Sequence, residues 1–254
     1  MAPSDLESDT PVSGDGGETH TATPEDVVVT ALEFFAHQGF NDAKLEKIAR
    51  ASGMSKRMIH YHFGDKKGLY IATLTYALKQ LRPTAESMQL DSAVPVEGVR
   101  KIVEAVYNQI ISHPDAVRML LMENLHGFAG VEGSAALNDH SNVLLNLDKL
   151  LMLGQDARAF RPGISAEDVL VLISSLGYFR LSNRSTLLNL HGVDLTSDAN
   201  TAGMKRMVVD TVLAFLTANL PNNGSASYLT QDTDDTESAS TDAVYGFDTD
   251  LFES

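Results

Sequence analysis

Apolar residues between positions 23 and 220 recur every three to four positions, which is the spacing of one face of an α-helix. One such series follows Pro95 and consists of Val99, Ile102, Val103, Val106 and Ile110. We find no stretch in which apolar and polar residues alternate as they do in a half-buried strand. The pattern predicts an all-α protein of about nine helices.

Residues that favour helix ends mark several boundaries. Thr23 and Pro24 predict the start of the first helix, which should end near His37 because Gly39 follows. A helix is also expected from about residue 135 to 153, another after Ser165, and a last one from about 203 to 220.

The two ends of the chain differ from its middle. Residues 1–22 and 221–254 are rich in Ser, Thr, Gly, Asp and Glu and poor in large apolar side chains. Such segments bury too little apolar surface to offset the entropy lost on ordering. We therefore expect a disordered acidic arm at 1–22 and a disordered acidic tail at 221–254.

Residues 45–66 show the pattern of two short helices joined by a tight turn. Gly53 stands where a left-handed cap commonly ends a helix, and Ser55 is placed to cap the next one. With Ile59 on the buried side of this second helix, its outer face carries Lys56, Arg57, His60 and Tyr61. A helix-turn-helix with such a face is typical of proteins that place the second helix in the major groove of DNA.

The run from Ala31 to Leu69 resembles the DNA-binding domain of the TetR family of transcriptional regulators. The matching positions are Ala31, Leu32, Phe35, Gly39, Phe40, Ile48, Ala49, Gly53, Ser55, Lys56, Tyr61, His62, Phe63 and Lys66. The resemblance implies a three-helix DNA-binding domain at 23–82 and a helical domain for effector binding and dimerisation at 83–220. The second half also resembles, loosely, the pyrimidine-responsive members of this family.

The resemblance and the exposed face together give the candidate DNA-binding residues: Lys44, Lys56, Arg57, Met58, His60, Tyr61, His62 and Lys66. Tyr61 and Lys66 are expected to hold phosphates, and Arg57 to read guanine through its two-donor fork. Met58 either touches a thymine methyl group or packs internally. His62 is either a phosphate donor or a core histidine.

The sequence departs from the family pattern in three places. Lys44 stands where the family has Ser or Thr; it can meet a phosphate as a charge, while Asn41 or Asp42 would cap the helix. His60 stands where the family has Tyr. The basic N-terminal arm of many family members is replaced by the acidic residues 1–22.

The distribution of charge supports a DNA-binding segment, although the whole chain carries a net charge of −15. Residues 27–82 carry +5, whereas residues 1–26, 83–220 and 221–254 carry −7, −5 and −8. The single basic segment therefore coincides with the predicted DNA-binding domain, as expected for a protein that contacts phosphates.

The candidate effector-binding residues lie on helices that, according to the resemblance, surround a pocket. Together they combine apolar side chains with a few polar groups. They are Tyr107, Met119, Met122, Asn124, His126, Tyr178 and Phe179. Ordinary core packing is the alternative for each of them.

Several classes of protein find no support in the sequence. There is no Cys, which excludes disulfides, Cys-ligated zinc and a thiol nucleophile. No hydrolase, metal or phosphate-cradling motif occurs, so we expect no enzyme, no metal and no cofactor. No apolar run approaches the roughly 18 residues of a membrane span, and the N-terminus lacks the features of a signal peptide. We expect a cytoplasmic protein without membrane contacts.

The sequence predicts a homodimeric repressor that binds a double-stranded DNA operator and is released by a small-molecule effector. One alternative is an activator that uses its acidic tail; another is a helical dimer that binds a small molecule or a protein without specific DNA binding. The tail carries Tyr245, Phe247, Leu251 and Phe252 among its acids. It is either a solvating segment or a motif that binds a partner or covers the DNA-binding surface.

Overall fold

The computed structural model describes residues 22–88, 94–130, 142–220 and 227–229, and these residues form eleven helices and no strand. The helices are α1 (Pro24–Asp42), α2 (Leu45–Ser52), α3 (Lys56–Phe63), α4 (Lys66–Gln80), α5 (Ala85–Met88), α6 (Pro95–Ser112), α7 (Pro114–His126), α8 (Asn142–Asp156), α9 (Ala166–Ser182), α10 (Arg184–His191) and α11 (Asp198–Thr217). The all-α prediction is confirmed. None of these helices combines the length and apolar character that crossing a lipid bilayer requires.

Helices α1 to α4 surround a first apolar core. Phe35 and Ile48 are fully buried in it. Gly39 adopts a φ of 73° and interrupts α1 as predicted, but a further turn follows up to Asp42. Beyond this kink, the rings of Phe40 and Tyr70 meet edge to face with centroids 5.1 Å apart.

Helices α6, α8, α9 and α11 enclose a second apolar core, in which α6 packs against the other three. Ile102, Leu147 and Val212 are fully buried there. Gly177 allows α9 to approach α6 closely, because a Cβ at this position would lie only 2.9 Å from Cδ1 of Ile110.

Helix α7 belongs to both cores. Ala116 and Met119 are fully buried in the first core, together with Ala129 of the loop that follows. Val117, on another face of α7, is fully buried in the second core. The two segments divided at residue 82 in the sequence are therefore interlocked in space.

Side-chain caps fix most of the predicted helix starts. Thr23 and Ser165 each form a capping box with the Asp three residues later. Helix α11 begins earlier than the expected residue 203, because the Ser197 hydroxyl accepts the N–H of Asn200 and caps it there. Residues 135–141 of another predicted helix lie outside the described residues.

The sequence prediction contained neither α5 nor α10. Helix α5 is a single turn of four residues. Helix α10 is only eight residues long and has no buried residue, so its leucines do not form the long apolar series by which the other helices were recognised.

Candidate DNA-binding surface and effector cavity

The turn between α2 and α3 fixes the geometry of the helix-turn-helix. Gly53 ends α2 with a φ of 74°, a left-handed conformation that strains a residue with a side chain. Met54 and Ile59 are both buried in the first core, on either side of the cap. The Ser55 hydroxyl accepts the N–H of Met58 at 3.3 Å and caps α3. The predicted turn, cap and buried side are confirmed.

Helix α3 presents one continuous face to solvent. Tyr61 is 79 % exposed and Met58 is 42 % exposed, so Met58 does not pack in the interior. Lys56 and Arg57 are exposed in the first turn, which contains no acidic residue. The positive end of the helix dipole adds to these two cations, and the N-terminus of α3 attracts anions such as phosphates.

Lys56 is drawn back towards α2. Its ammonium group forms an ion pair with the Glu46 carboxylate, and this hydrogen bond is the main cause of the lowered pKa of Glu46. Both side chains are about half-exposed, so water screens their attraction and a phosphate can compete for the ammonium group.

The two histidines of α3 are both exposed. His60 Nδ1 lies 2.8 Å from the carbonyl oxygen of Gly64, which can only accept; Nδ1 therefore donates, and the imidazole caps the end of the helix. His62 packs its ring against Tyr61, with centroids 5.2 Å apart. Because His62 is exposed, the alternative that it is a core histidine is wrong; its contact with phosphate stays a prediction.

The lysines that flank the two helices are placed differently. Lys44 is exposed at the N-cap of α2 and makes no side-chain capping bond. The prediction that Asn41 or Asp42 caps α2 is wrong, because both residues belong to the last turn of α1. Lys66 donates to the Asn41 carbonyl at 3.0 Å and lies 4.8 Å from the centre of the Phe40 ring.

Lys66 therefore ties the start of α4 to the end of α1. Its partial burial lowers the pKa of the ammonium group, against the opposing effect of Asp42. Whether Lys66 also holds a phosphate stays a prediction.

A cavity of about 170 Å³ lies where the end of α4 meets α6, α7, α8 and α9. Its wall is mostly apolar, with polar groups from Arg82, Ser174 and Tyr178; burial raises the pKa of the Tyr178 hydroxyl. The lining residues are Leu78, Leu81, Arg82, Pro83, Val106, Ile110, Leu120, Val143, Leu170, Ser174 and Tyr178.

The structure does not bring the seven predicted effector-binding residues together. Tyr178 lines the cavity. Tyr107 and Met119 are fully buried in the second and the first core, respectively. For these two residues, packing in a core accounts for the position.

The remaining four candidates lie away from this cavity. Met122 is half-buried, and its Cε would lie 3.2 Å from a Cβ built on Gly39. The other three are exposed because they lie on outward faces of α7 and α9: Asn124, His126 and Phe179.

Sequence reasoning missed the cavity residues at the end of α4. It assigned Leu78, Leu81 and Arg82 to the DNA-binding domain. Helical spacing shows that this part of α4 has an apolar face, but it does not show which helices that face contacts. Pro83 was the available signal, because proline cannot continue a helix and ligand sites often lie at the interface between domains.

Two polar side chains, Tyr70 and Glu123, are buried where α4 packs against α7. Glu123 of α7 is 4 % exposed, and its carboxylate accepts the N–H of Ala129 at 3.1 and 3.2 Å. The pKa of the Tyr70 hydroxyl on α4 is raised, mainly because the group is buried and also because the Glu123 carboxylate lies nearby. Stacking of Phe128 on Phe40, at 5.3 Å, brings the loop after α7 into the same cluster.

The described residues form no site from the other candidates that the sequence offered. Within the described parts of the chain, no group of three or more His, Cys, Asp or Glu is placed to hold a metal ion. Residues 1–21 of the predicted arm and the apolar tail residues Tyr245, Phe247, Leu251 and Phe252 lie outside the described residues.

Comparison with known families agrees with the geometry of both domains. Residues 27–73 match the model of bacterial regulatory proteins of the tetR family, and residues 95–212 match the tetracyclin repressor-like C-terminal domain. This chain belongs to the TetR family of transcriptional regulators. The family resemblance noted in the sequence is therefore confirmed, and the helix-turn-helix is a DNA-binding element.

Individual relatives extend the match over most of the regulator. The HTH-type transcriptional repressor NicS of Pseudomonas putida is 29% identical over 192 residues, which is 75% of this chain and 91% of the relative. The HTH-type transcriptional regulator RutR of Escherichia coli is 30% identical over 107 residues, 42% of this chain and 50% of RutR.

Solved structures share the fold at low sequence identity. The transcriptional regulator SCO4942 from Streptomyces coelicolor superimposes with a TM-score of 0.54 at 21% identity, over 76% of this chain and 98% of its own. FadR from Bacillus subtilis, in complex with stearoyl-CoA, gives a TM-score of 0.53 at 15% identity over 76% of this chain and 100% of its own. The likeness to the pyrimidine-responsive members stays a prediction.

Proposed function

We propose that this regulator is a repressor that reads its operator with α3 and leaves the DNA when a small molecule occupies the cavity between α4 and α9. The observation that carries the proposal is the exposed cationic first turn of α3, held by the Gly53 turn and the Ser55 cap. The repressor name of the relative that spans 75% of the chain supports the sign of regulation.

The proposed roles on DNA follow from side-chain chemistry. Arg57 reads guanine through two parallel hydrogen bonds, while Lys56 leaves Glu46 to meet a phosphate or a base edge. Tyr61, His60 and His62 are close enough along α3 to contact the backbone of one groove, where phosphate contacts position the helix without reading sequence.

We propose a two-fold dimer formed through α9 and α11. Val171 and Phe179 on α9 are 50 % and 44 % exposed, and Met207 on α11 is 48 % exposed. Such large apolar side chains on two neighbouring helices are typical of an interface. A dimer places two recognition helices in major grooves one helical turn apart, about 34–36 Å along B-DNA.

The proposed effector is a compact, mostly apolar molecule with one polar end. The cavity of about 170 Å³ is smaller than the sites of about 300–1,000 Å³ that hold drug-sized ligands. A molecule such as stearoyl-CoA, the ligand named for FadR, is far too large for it. Ser174, Tyr178 and Arg82 supply the polar contacts.

The cavity is placed to couple effector to DNA. Its wall contains the last turn of α4, and the first turn of α4 follows α3 directly in the chain. The wall also contains Leu120 of α7, a helix that packs in the first core through Met119. A ligand that prefers one arrangement of α4 and α7 shifts the two recognition helices of a dimer. Coupling of this kind is about 1–3 kcal/mol, and DNA weakens effector binding by the same factor.

The substitution Arg57→Ala tests the DNA-reading role. We expect a loss of about 10–100-fold in operator affinity, equivalent to roughly 1–3 kcal/mol, together with relaxed preference at one base pair. Fluorescence anisotropy with labelled duplexes measures both. The matched control is Arg206→Ala, an exposed arginine on α11; equal losses in the two variants would contradict the proposal.

The acidic segments at 1–22 and 221–254 favour a second candidate function, that of a helical dimer that acts on a partner without specific DNA binding. The double substitution Lys56→Ala and Arg57→Ala separates the two functions. We expect the double variant to lose regulation in the cell. Regulation that persists in a folded double variant would favour the second candidate.

A further inference from the structure

The short segment 227–229 lies beyond both matched family regions and contacts the regulatory domain. The N–H of Leu229 donates to Oδ1 of Asp168 at 2.9 Å, and the N–H of Tyr228 donates to Oδ2 at 3.2 Å. Asp168 lies in the first turn of α9 and is 6 % exposed. Two successive backbone amides therefore share one buried carboxylate.

Asp168 has acceptor capacity for this second task. Its Oδ2 already accepts the N–H of Ser165 at 3.0 Å in the capping box of α9. A carboxylate offers about four lone-pair sites, so the two amides of the segment use sites that the cap leaves free. Hydrogen bonds to an ionised acceptor are stronger than those between neutral groups.

A second set of contacts holds the side chain of Tyr228. The Arg161 guanidinium lies 4.5 Å from the centre of the Phe215 ring and 5.6 Å from that of Tyr228, and the two rings are 5.5 Å apart. Arg161 Nη1 donates to the Tyr228 hydroxyl at 3.2 Å, and Nε donates to the Phe215 carbonyl at 2.7 Å. The bond to the Phe215 carbonyl thus holds the guanidinium against the end of α11, where it also contacts the phenol of Tyr228.

One donor of this cluster is unused. Nη2 of Arg161 is buried and has no hydrogen-bond partner among the described residues. A buried donor of a charged group that makes no hydrogen bond costs free energy, so the bonds of the guanidinium to the Phe215 carbonyl and the Tyr228 hydroxyl have to offset this cost.

We propose that Arg161, Asp168 and Phe215, which we name the tail clasp, form a docking site for a peptide segment that bends where its two amides meet the carboxylate. The occupant is this chain's own segment 227–229. The clasp recognises two successive free N–H groups and a phenol, and it anchors the acidic tail to the regulatory domain. All eight acids of residues 221–254 follow Leu229, so docking fixes the point from which this charge extends.

The clasp also joins two helices. Asp168 belongs to the first turn of α9, and Phe215 to the last turn of α11. Docking of the segment therefore ties the start of one helix to the end of the other, independently of whether the chain binds DNA.

Hydrogen exchange on the full chain tests the docking. We expect the amides of Tyr228 and Leu229 to exchange at least about tenfold more slowly than amides in residues 240–250. Leu229→Pro removes a single donor to Asp168 and alters no residue of the helical domains, so protection at Tyr228 should be lost. Thr230→Pro, which leaves the N–H groups of Tyr228 and Leu229 in place, is the control and should retain it.

A fluorescence measurement gives an independent readout. The chain has no Trp, so Tyr228→Trp introduces a single indole. This variant loses the phenol hydroxyl but keeps both backbone N–H donors to Asp168 and an aromatic ring at position 228. Tyr245→Trp places an indole in the distal tail for comparison. We expect higher anisotropy at position 228 than at 245, and a fall to the distal value when Leu229→Pro is added. Equal anisotropy at the two positions, or exchange at Tyr228 that is fast and indifferent to Leu229→Pro, would overturn the proposal.

Discussion

Glu46 restrains Lys56, one of the two cations in the first turn of the recognition helix. The Glu46 carboxylate pairs with the ammonium group and makes it less available to DNA. It also adds a negative charge beside a surface that must approach phosphates. Removing this charge should therefore help DNA binding, whereas most surface changes leave it unaffected.

For Glu46→Gln we expect tighter binding to any duplex by a few-fold, and a plot of log affinity against log salt that is steeper by about one. Affinity measured at four or more salt concentrations gives this slope. The control is Glu104→Gln, which removes a carboxylate paired with Arg100 on α6. An unchanged slope in Glu46→Gln would show that Lys56 does not reach a phosphate.

Residue identity predicted the local features of the DNA-binding surface. The sequence indicates the end of α2 at Gly53, the start of α3 at Ser55 and the buried side of α3 at Ile59, and the structure has all three. Each of these features depends on interactions within one turn of helix. The internal role of Lys66 was not visible, because its partner carbonyl at Asn41 lies 25 positions earlier in the chain.

At the scale of elements, we expect opposite effects on stability when alanine replaces Gly53, which ends α2, and Gly203, which lies inside α11. Gly53 holds a left-handed φ of 74°, which costs a residue with a Cβ about 1–2 kcal/mol. Gly203 lies within α11, and a Cβ built there meets no atom within 4 Å. Alanine at a helical position of this kind gains about 0.5–1 kcal/mol over glycine.

We therefore expect Gly53→Ala to lower the free energy of unfolding by about 1–2 kcal/mol and Gly203→Ala to raise it. Urea denaturation followed by circular dichroism measures both. A stabilised Gly53→Ala protein would contradict the left-handed cap and, with it, the orientation of α3 against α2.

The effector cavity shows where element-level prediction stops. Helical spacing identified α6 and α9 correctly, but the cavity arises where Leu81, Ile110 and Ser174 meet from three distant parts of the sequence. Periodicity records that each residue faces inward, not which helix it faces. Tyr178, the candidate that lines the cavity, was chosen because the family resemblance placed its helix beside the pocket.

At the scale of the whole molecule, DNA binding by a repressor of this fold depends on the pairing of two copies. The glutamate introduced by Phe179→Glu places a charge on the exposed apolar face of α9. We expect a monomer in light scattering, and a fall in operator affinity of at least about 100-fold because the second half-site is no longer held by the first.

Leu125→Glu serves as the control for that experiment. Leu125 is 76 % exposed on α7, away from the proposed interface, so the variant should remain dimeric and bind DNA as the parent does. A dimeric Phe179→Glu protein would place the interface elsewhere.

The most direct test of the central claim is the affinity of the purified regulator for the DNA upstream of its own gene, compared with an unrelated duplex at two salt concentrations. We expect a preference of at least about 1,000-fold for the upstream fragment at physiological salt. Equal, weak binding to both duplexes that disappears at the higher salt would mean that only phosphate contacts act, and would contradict an operator at this position read by α3.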